Sequence, residues 1–295
     1  MQRVEKEIAR LINECDYDEV TRLFGMLSGG KRLRAKLILK IADEHESAPL
    51  LAAIVELIHA ASLLHDDVID EASLRRGVPS VNATDGSKTA VMLGDILYSK
   101  AFTELVSFDK DVAKIIASSV TALSKGEMID VKMADEFNYD EDKYLDMLYL
   151  KTATLIEAAA EASAILVGKD STSHALYGRN LGLSFQIIDD ILDITADEAT
   201  LGKPAMNDYV EGKCTLPYIY LYKLLDEEDK KRLVSLHAKA LDDSDTTWIK
   251  QKMKEHKTIE KSFELAAKLS NEAMNAMKND AELVGILQTM IKRSY

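Results

Sequence analysis

Proline and glycine are scarce in this 295-residue chain, with 4 and 13 occurrences, which argues against loop-rich and strand-turn-strand architectures. Pro49, Pro79, Pro204 and Pro217 each fall at the edge of an apolar-periodic segment; inside one, the ring would remove a helix hydrogen bond and clash with the preceding turn. Cysteine is scarcer still, since Cys15 and Cys214 are too few for a disulfide framework and suit a reducing compartment. Positive charge is in deficit. A formal net charge of -13 leaves no face-wide excess of Lys and Arg to displace counterions from phosphates, so no nucleic acid partner is expected. Any anionic ligand then needs locally concentrated cations. The opening MQRVEKEIARLINEC lacks the apolar core of a signal peptide, and no uninterrupted apolar run suggests a transmembrane segment. The expectation is a cytoplasmic protein.

Ala, Leu, Ile, Lys and Glu dominate instead, and these are helix formers. Apolar residues recur at three- and four-residue spacing in 1–27, 34–45, 50–70, 88–107, 110–133, 140–167, 172–195 and 214–226, and in further segments to the end. This predicts an all-α chain without strand-type alternation, broken at Gly29-Gly30, Gly77 with Pro79, Gly86, Gly168 and Gly202 with Pro204. No linker or repeat separates halves, so one domain over 1–295 is expected, with a more polar C-terminal third after about Leu225.

The segment HAASLLHDDVIDEASLRRG places Asp66 and Asp70 one turn apart on a helix face, with Asp67 beside them. The preceding turns are apolar or small, and acids at a helix C-terminus oppose its dipole. That placement works against local electrostatics, which suits a metal site better than a stabilising feature. The donors are hard oxygens without a Cys or His cluster, the set that Mg²⁺ takes together with phosphate and water. In NLGLSFQIIDDILDITAD, Asp189, Asp190 and Asp193 repeat the spacing, which points to two clusters facing a shared cavity around a diphosphate. Cations cluster where such a ligand needs them: Lys31, Arg32 and Arg34 after the Gly-Gly break, Arg75 and Arg76 after the first acids, and Lys203 and Lys213 after the second.

The ordered set GGKR, HDDVIDEASLRRG, KT, FQIIDDILD, LGKP and GKCTLP, over roughly residues 25 to 220, resembles the trans-isoprenyl diphosphate synthase family in its long-chain, octaprenyl-type branch. The resemblance implies a helical bundle of the isoprenoid synthase type around a central cavity, a homodimer, three Mg²⁺ ions in the substrate complex, and transient membrane contact for product release. It implies Asp66, Asp70 and Asp189 as metal ligands, with Asp67, Asp190, Lys151 and Lys203 completing the catalytic set. Arg75, Lys151, Lys203 and Lys213 fall where the family holds an allylic diphosphate, and Lys31, Arg34, His59 and Arg76 where it holds isopentenyl diphosphate. Thr152 and Gln186 match residues lining the reacting centre, and Asp193 completes the second motif. A lone histidine on an apolar helix is ordinarily a core residue, so His59 owes its role to family position alone. His65, beside the acids, reads as structural support. Two departures stand out. Ala35 occupies a place where the family commonly has proline, and Met206 one often held by glycine.

Each helical turn before Asp66 lies about 5 to 6 Å deeper, close to one isoprene unit, so the helix acts as a ruler. Ser62 and Ala61 leave the first mark open, Ile58 lines the next turn, and Leu105, Ile116 and Val120 are candidates for the floor. The expected product has about six to nine isoprene units and would serve a quinone side chain. The rivals are a short-chain farnesyl or geranylgeranyl diphosphate synthase, and a non-catalytic subunit of a heteromeric prenyltransferase. The second would have an eroded acidic motif, whereas both motifs are intact.

Overall fold

A computed structural model describes residues 1–27, 30, 32–42, 45–75, 77–196 and 205–292, and its elements are almost all helices. The chain divides into two compact units that interleave in sequence: residues 1–121 with 155–178, and residues 122–154 with 179–295.

The first unit is built on α4 (Ala48–Ile69), which packs against α1 (Gln2–Asn13), α3 (Leu33–Ala42) and α6 (Ser87–Leu105). Pro49 starts α4 in its first turn, where the missing N–H costs nothing. From Leu51 to Ile58 every residue of α4 is buried, because Ala, Leu, Ile and Val occupy all its faces; Glu56 is the one charged exception. Among the described residues α4 alone is long and apolar enough to cross a bilayer, which qualifies the sequence expectation, and most of it is buried as in a core helix. The periodic segment 1–27 is not one helix. Asp16 takes a left-handed backbone and Tyr17 an extended one, and α2 (Asp18–Met26) starts anew. A pair of two-residue strands, Leu74–Arg75 and Val78–Pro79, also departs from the strand-free expectation, with Gly77 at φ 77 in the turn between them. α5 (Val81–Asp85) leads into α6. The first part of α7 (Lys110–Ala134), most of α9 (Thr154–Leu166) and the start of α10 (Ser171–Thr195) complete this unit. Gly178 of α10 lies so close to α9 that an added Cβ would stand 2.7 Å from the Ile156 carbonyl oxygen.

The second unit takes the rest of α7 and α10 and adds α8 (Glu141–Leu148), which runs through a π-helical turn (Tyr149–Ala153) into α9. After the second acidic motif come α11 (Asn207–Val210), α12 (Leu216–Leu224), α13 (Glu227–Leu236), α14 (Asp243–His256), α15 (Thr258–Ala276) and α16 (Ala281–Lys292). α12 is the hub, packing against α8, α14 and α15. One apolar cluster joins Tyr144, Met147, Ile187, Ile191, Leu216 and Ile219. A second joins Ile194, Met206, Tyr209, Tyr218, Leu233 and Ile249.

Candidate active site

The first acidic motif sits where α4 ends. Asp66 is half-buried, Asp67 buried and Asp70 exposed as the C-cap, its N–H donating to the Asp66 carbonyl at 2.8 Å. Glu71 then turns left-handed and Asn82 donates to the carbonyls of Asp67 and Ala72, both at 3.0 Å, so the orphan end of the helix is satisfied by the following loop. The small hairpin returns Arg75 to the motif, where Nε and Nη2 both lie 2.6 Å from Asp67 Oδ1. Burial pushes the Asp67 carboxyl up and Arg75 only partly offsets it. Asp67 is thus the buried, arginine-paired acid of the three.

His65 faces α6 rather than the acids. Its Nε2 lies 3.2 Å from the Val91 carbonyl and 3.5 Å from Asp95, and Tyr98 meets the ring edge-on. Gly94 makes that room, since any Cβ there would collide with the imidazole. Toward the end of α4 most positions are only partly buried, and His59, Ser62, Leu63, Asp66 and Asp70 share one side at three- and four-residue spacing, whereas Ala61 and Ile58 are fully buried. Ser62 donates to the His59 carbonyl at 2.9 Å. Leu105, Ile116 and Val120 are all buried core side chains. Arg34 is half-buried in the first turn of α3. Lys31, Arg76 and Lys203 lie outside the described residues.

The second motif differs in its environment. Asp189 is exposed, while Asp190 and Asp193 are buried. Asp190 Oδ2 accepts from the Tyr144 hydroxyl at 2.5 Å, and Oδ1 accepts from Gln186 at 2.9 Å; Gln186 in turn accepts from Thr152 at 3.3 Å. Thr152 and Gln186, both expected at the reacting centre, are thus joined in one polar chain with Asp190. Burial first, and then the charge of Asp208, hold the Asp190 carboxyl well above the ordinary range, while Tyr144 and Gln186 pull it down. Asp193 Oδ2 accepts the Asp208 backbone N–H at 3.2 Å and its carbonyl accepts from Met206 at 2.8 Å, so this acid organises the start of α11. Lys213 pairs with Glu211 at 2.9 Å.

Lys151 lies on the π turn, not in a plain helix interior, and its ammonium is 2.8 Å from Glu127 and 2.6 Å from Asp130. Burial alone would lower its pKa; the two carboxylates outweigh that and hold it above its ordinary value. Gly126 permits the contact, because a Cβ there would collide with the Lys151 backbone and stand 2.7 Å from the carbonyl carbon of Leu150. Glu127, Asp130, Tyr144, Asp208 and Gly126 were not singled out from sequence. GEMID on α7 is an acidic pair at a helical i, i+3 spacing, yet nothing local announces its lysine partner.

Among the described residues no three His, Cys, Asp or Glu side chains converge on one point. The accessible carboxylates come as a pair on α4, Asp66 and Asp70, and as Asp189 on α10. These oxygen donors fit a hard divalent cation that keeps most of its shell for phosphate and water, as Mg²⁺ does.

An almost entirely helical chain with two aspartate-ended helices, one of them carrying a Thr-Gln-Asp relay, has the architecture of the isoprenoid synthases. A family model described as Polyprenyl synthetase matches residues 20–253. The short chain isoprenyl diphosphate synthase of Methanothermobacter thermautotrophicus is 37% identical over 221 residues, 71% of this chain and 68% of that protein. The fold is similar to octaprenyl pyrophosphate synthase from Helicobacter pylori, with TM-score 0.94, 41% identity, and 98% and 97% of the two chains covered. It is also similar to a polyprenyl synthase from Caulobacter crescentus complexed with calcium and isoprenyl diphosphate, with TM-score 0.81, 30% identity and 98% of each chain covered. The chain belongs to the polyprenyl synthetase family and is a prenyltransferase.

Proposed function

We propose that this enzyme is a long-chain trans-polyprenyl diphosphate synthase that adds isopentenyl diphosphate repeatedly to an allylic diphosphate such as farnesyl diphosphate. The observation that carries the reading is the absence of bulk on α4 one turn before Asp66, where Ala61 and Ser62 stand above Ile58. A product of about six to nine isoprene units, suited to a quinone side chain, follows from the ruler spacing. The likeness to the Helicobacter pylori octaprenyl enzyme supports the same reading. We read 1–295 as one polyprenyl synthase domain working in the cytoplasm and touching a membrane only to release its lipid product.

Asp66, Asp70 and Asp189 are the proposed ligands of three Mg²⁺ ions, which when bound would neutralise the allylic diphosphate and stabilise it as a leaving group. Lys151, Arg75, Lys203 and Lys213 add fixed positive charge to that anion, and Lys31, Arg34, His59 and Arg76 hold isopentenyl diphosphate. Ionisation leaves a carbocation that water would quench, so the apolar wall of α4 serves chemistry as well as length. Thr152 and Gln186, oriented through Asp190 and Tyr144, present fixed dipoles to the reacting carbon without offering a nucleophile. The double bond of isopentenyl diphosphate attacks, and the proton lost from the adduct goes to the departed diphosphate.

Incubating the enzyme with farnesyl diphosphate, labelled isopentenyl diphosphate and Mg²⁺, followed by chain-length analysis, tests the reading. Products of about six to nine units support it; termination at fifteen or twenty carbons would establish the short-chain alternative, and no turnover the non-catalytic one. EDTA, Asp66→Ala and Asp189→Ala should each cut turnover by orders of magnitude with helical content intact.

A further inference from the structure

Glu56 is the one ionisable side chain in the fully buried stretch of α4, and its carboxylate is only 5% exposed. It bridges two parts of another segment: Oε1 accepts the backbone N–H of Ala35 at 3.0 Å, and Oε2 accepts from Arg32 Nη1 at 3.1 Å. Ala35 is the third residue of α3, and that helix follows Arg32, which has no side-chain oxygen to cap it. Glu56 thus does from α4 what a Ser or Asp would do locally. Arg32 is held in a left-handed backbone, φ 49, with its Nε and Nη2 on Glu5 of α1 at 3.1 and 3.3 Å.

Two residues assigned above to isopentenyl diphosphate flank this clamp. Arg34 lies between Arg32 and Ala35, and His59 follows Glu56 by three residues on the same side of α4. Resting on the prenyltransferase reading, we infer that Glu56 is a positioning residue for the isopentenyl diphosphate subsite, fixing the first turn of α3 against the turn of α4 that carries His59. A buried carboxylate with two partners on one short segment sets both the rotation and the depth of that segment, which a single apolar contact would not do. It touches no substrate itself, so its effect belongs to the affinity for one substrate and not to the chemical step.

The test is steady-state kinetics of Glu56→Gln and Glu56→Ala with both substrates varied, alongside circular dichroism and thermal unfolding. The amide of Glu56→Gln keeps an acceptor for Ala35 and loses the Arg32 ion pair, so KM for isopentenyl diphosphate should rise about tenfold, and further in Glu56→Ala, by displacement of Arg34. KM for the allylic diphosphate and kcat at saturation should stay within about twofold of the parent enzyme. A folded Glu56→Gln enzyme with unchanged KM for isopentenyl diphosphate overturns the inference. So does a parallel rise in both KM values tracking lost thermal stability, which would make Glu56 a fold residue only. If the parent enzyme itself makes no prenyl product, the functional reading fails instead, and the two failures are told apart by that control.

Discussion

Met206 adopts φ 63 and ψ 23, a left-handed conformation that glycine would take without strain, and yet its side chain is completely buried against Tyr209 and Tyr218. The backbone cost is about 1 kcal/mol, whereas emptying a buried methionine site costs about 2 to 5 kcal/mol. Met206→Gly should therefore lower unfolding stability by roughly 1 to 4 kcal/mol in urea titration; a more stable variant would mean that strain dominates. On that balance, packing accounts for methionine at the place the family often gives to glycine. At this scale the acids were legible because carboxylates on apolar helices are conspicuous, but their partners were not. Asp130 is 21 residues from Lys151, and Tyr144 is 46 from Asp190, so only the folded chain pairs them. The two DDxxD runs are also unequal in a way that spacing cannot reveal: the last aspartate is exposed in the first and buried in the second.

Helices as elements were read almost entirely from periodicity, because an apolar face every three or four residues is a local signal. The break at Asp16–Tyr17 and the π turn carry no such signal, since their residues fit a continuing helix equally well. The packing of α7 on that turn depends on one atom. Gly126→Ala should gain about 1 kcal/mol in helix propensity but lose about 1 to 3 to overpacking, displacing Lys151 and lowering kcat. Thermal unfolding with steady-state kinetics checks this, and a stabilised, fully active variant would refute it. On α4 the ruler makes a separate prediction, because Ala61 is a small residue about one turn before Asp66. Ala61→Tyr should shorten the product to about fifteen or twenty carbons, read by chromatography of dephosphorylated products. An unchanged long product from an active variant would refute the ruler.

For the whole molecule, α6 leaves Met92 and Phe102 exposed at 54% and 37%, and Val106, its C-cap, is exposed at 83%, with Tyr98 stacked on Phe102. A twofold contact with a second copy would cover these side chains, which makes the oligomeric state a prediction. Light scattering at micromolar concentration should report a dimer, and Phe102→Glu should convert it to monomer with the fold retained. A monomeric parent protein would reject the prediction. The interleaving of the two units has a consequence in time. The chain leaves the first unit at Thr121, within α7, and returns at Leu155 to supply the segment that ends at Gly178. From the residue after Thr121 through Gly178 the chain adds 57 residues, which at about 5 to 20 residues per second take roughly 3 to 11 seconds to synthesise. Throughout that interval α4, among the described residues the one helix long and apolar enough to cross a bilayer, has emerged into a nascent unit still missing α9 and its glycine-packed neighbour, so its apolar faces wait several seconds for their last partners.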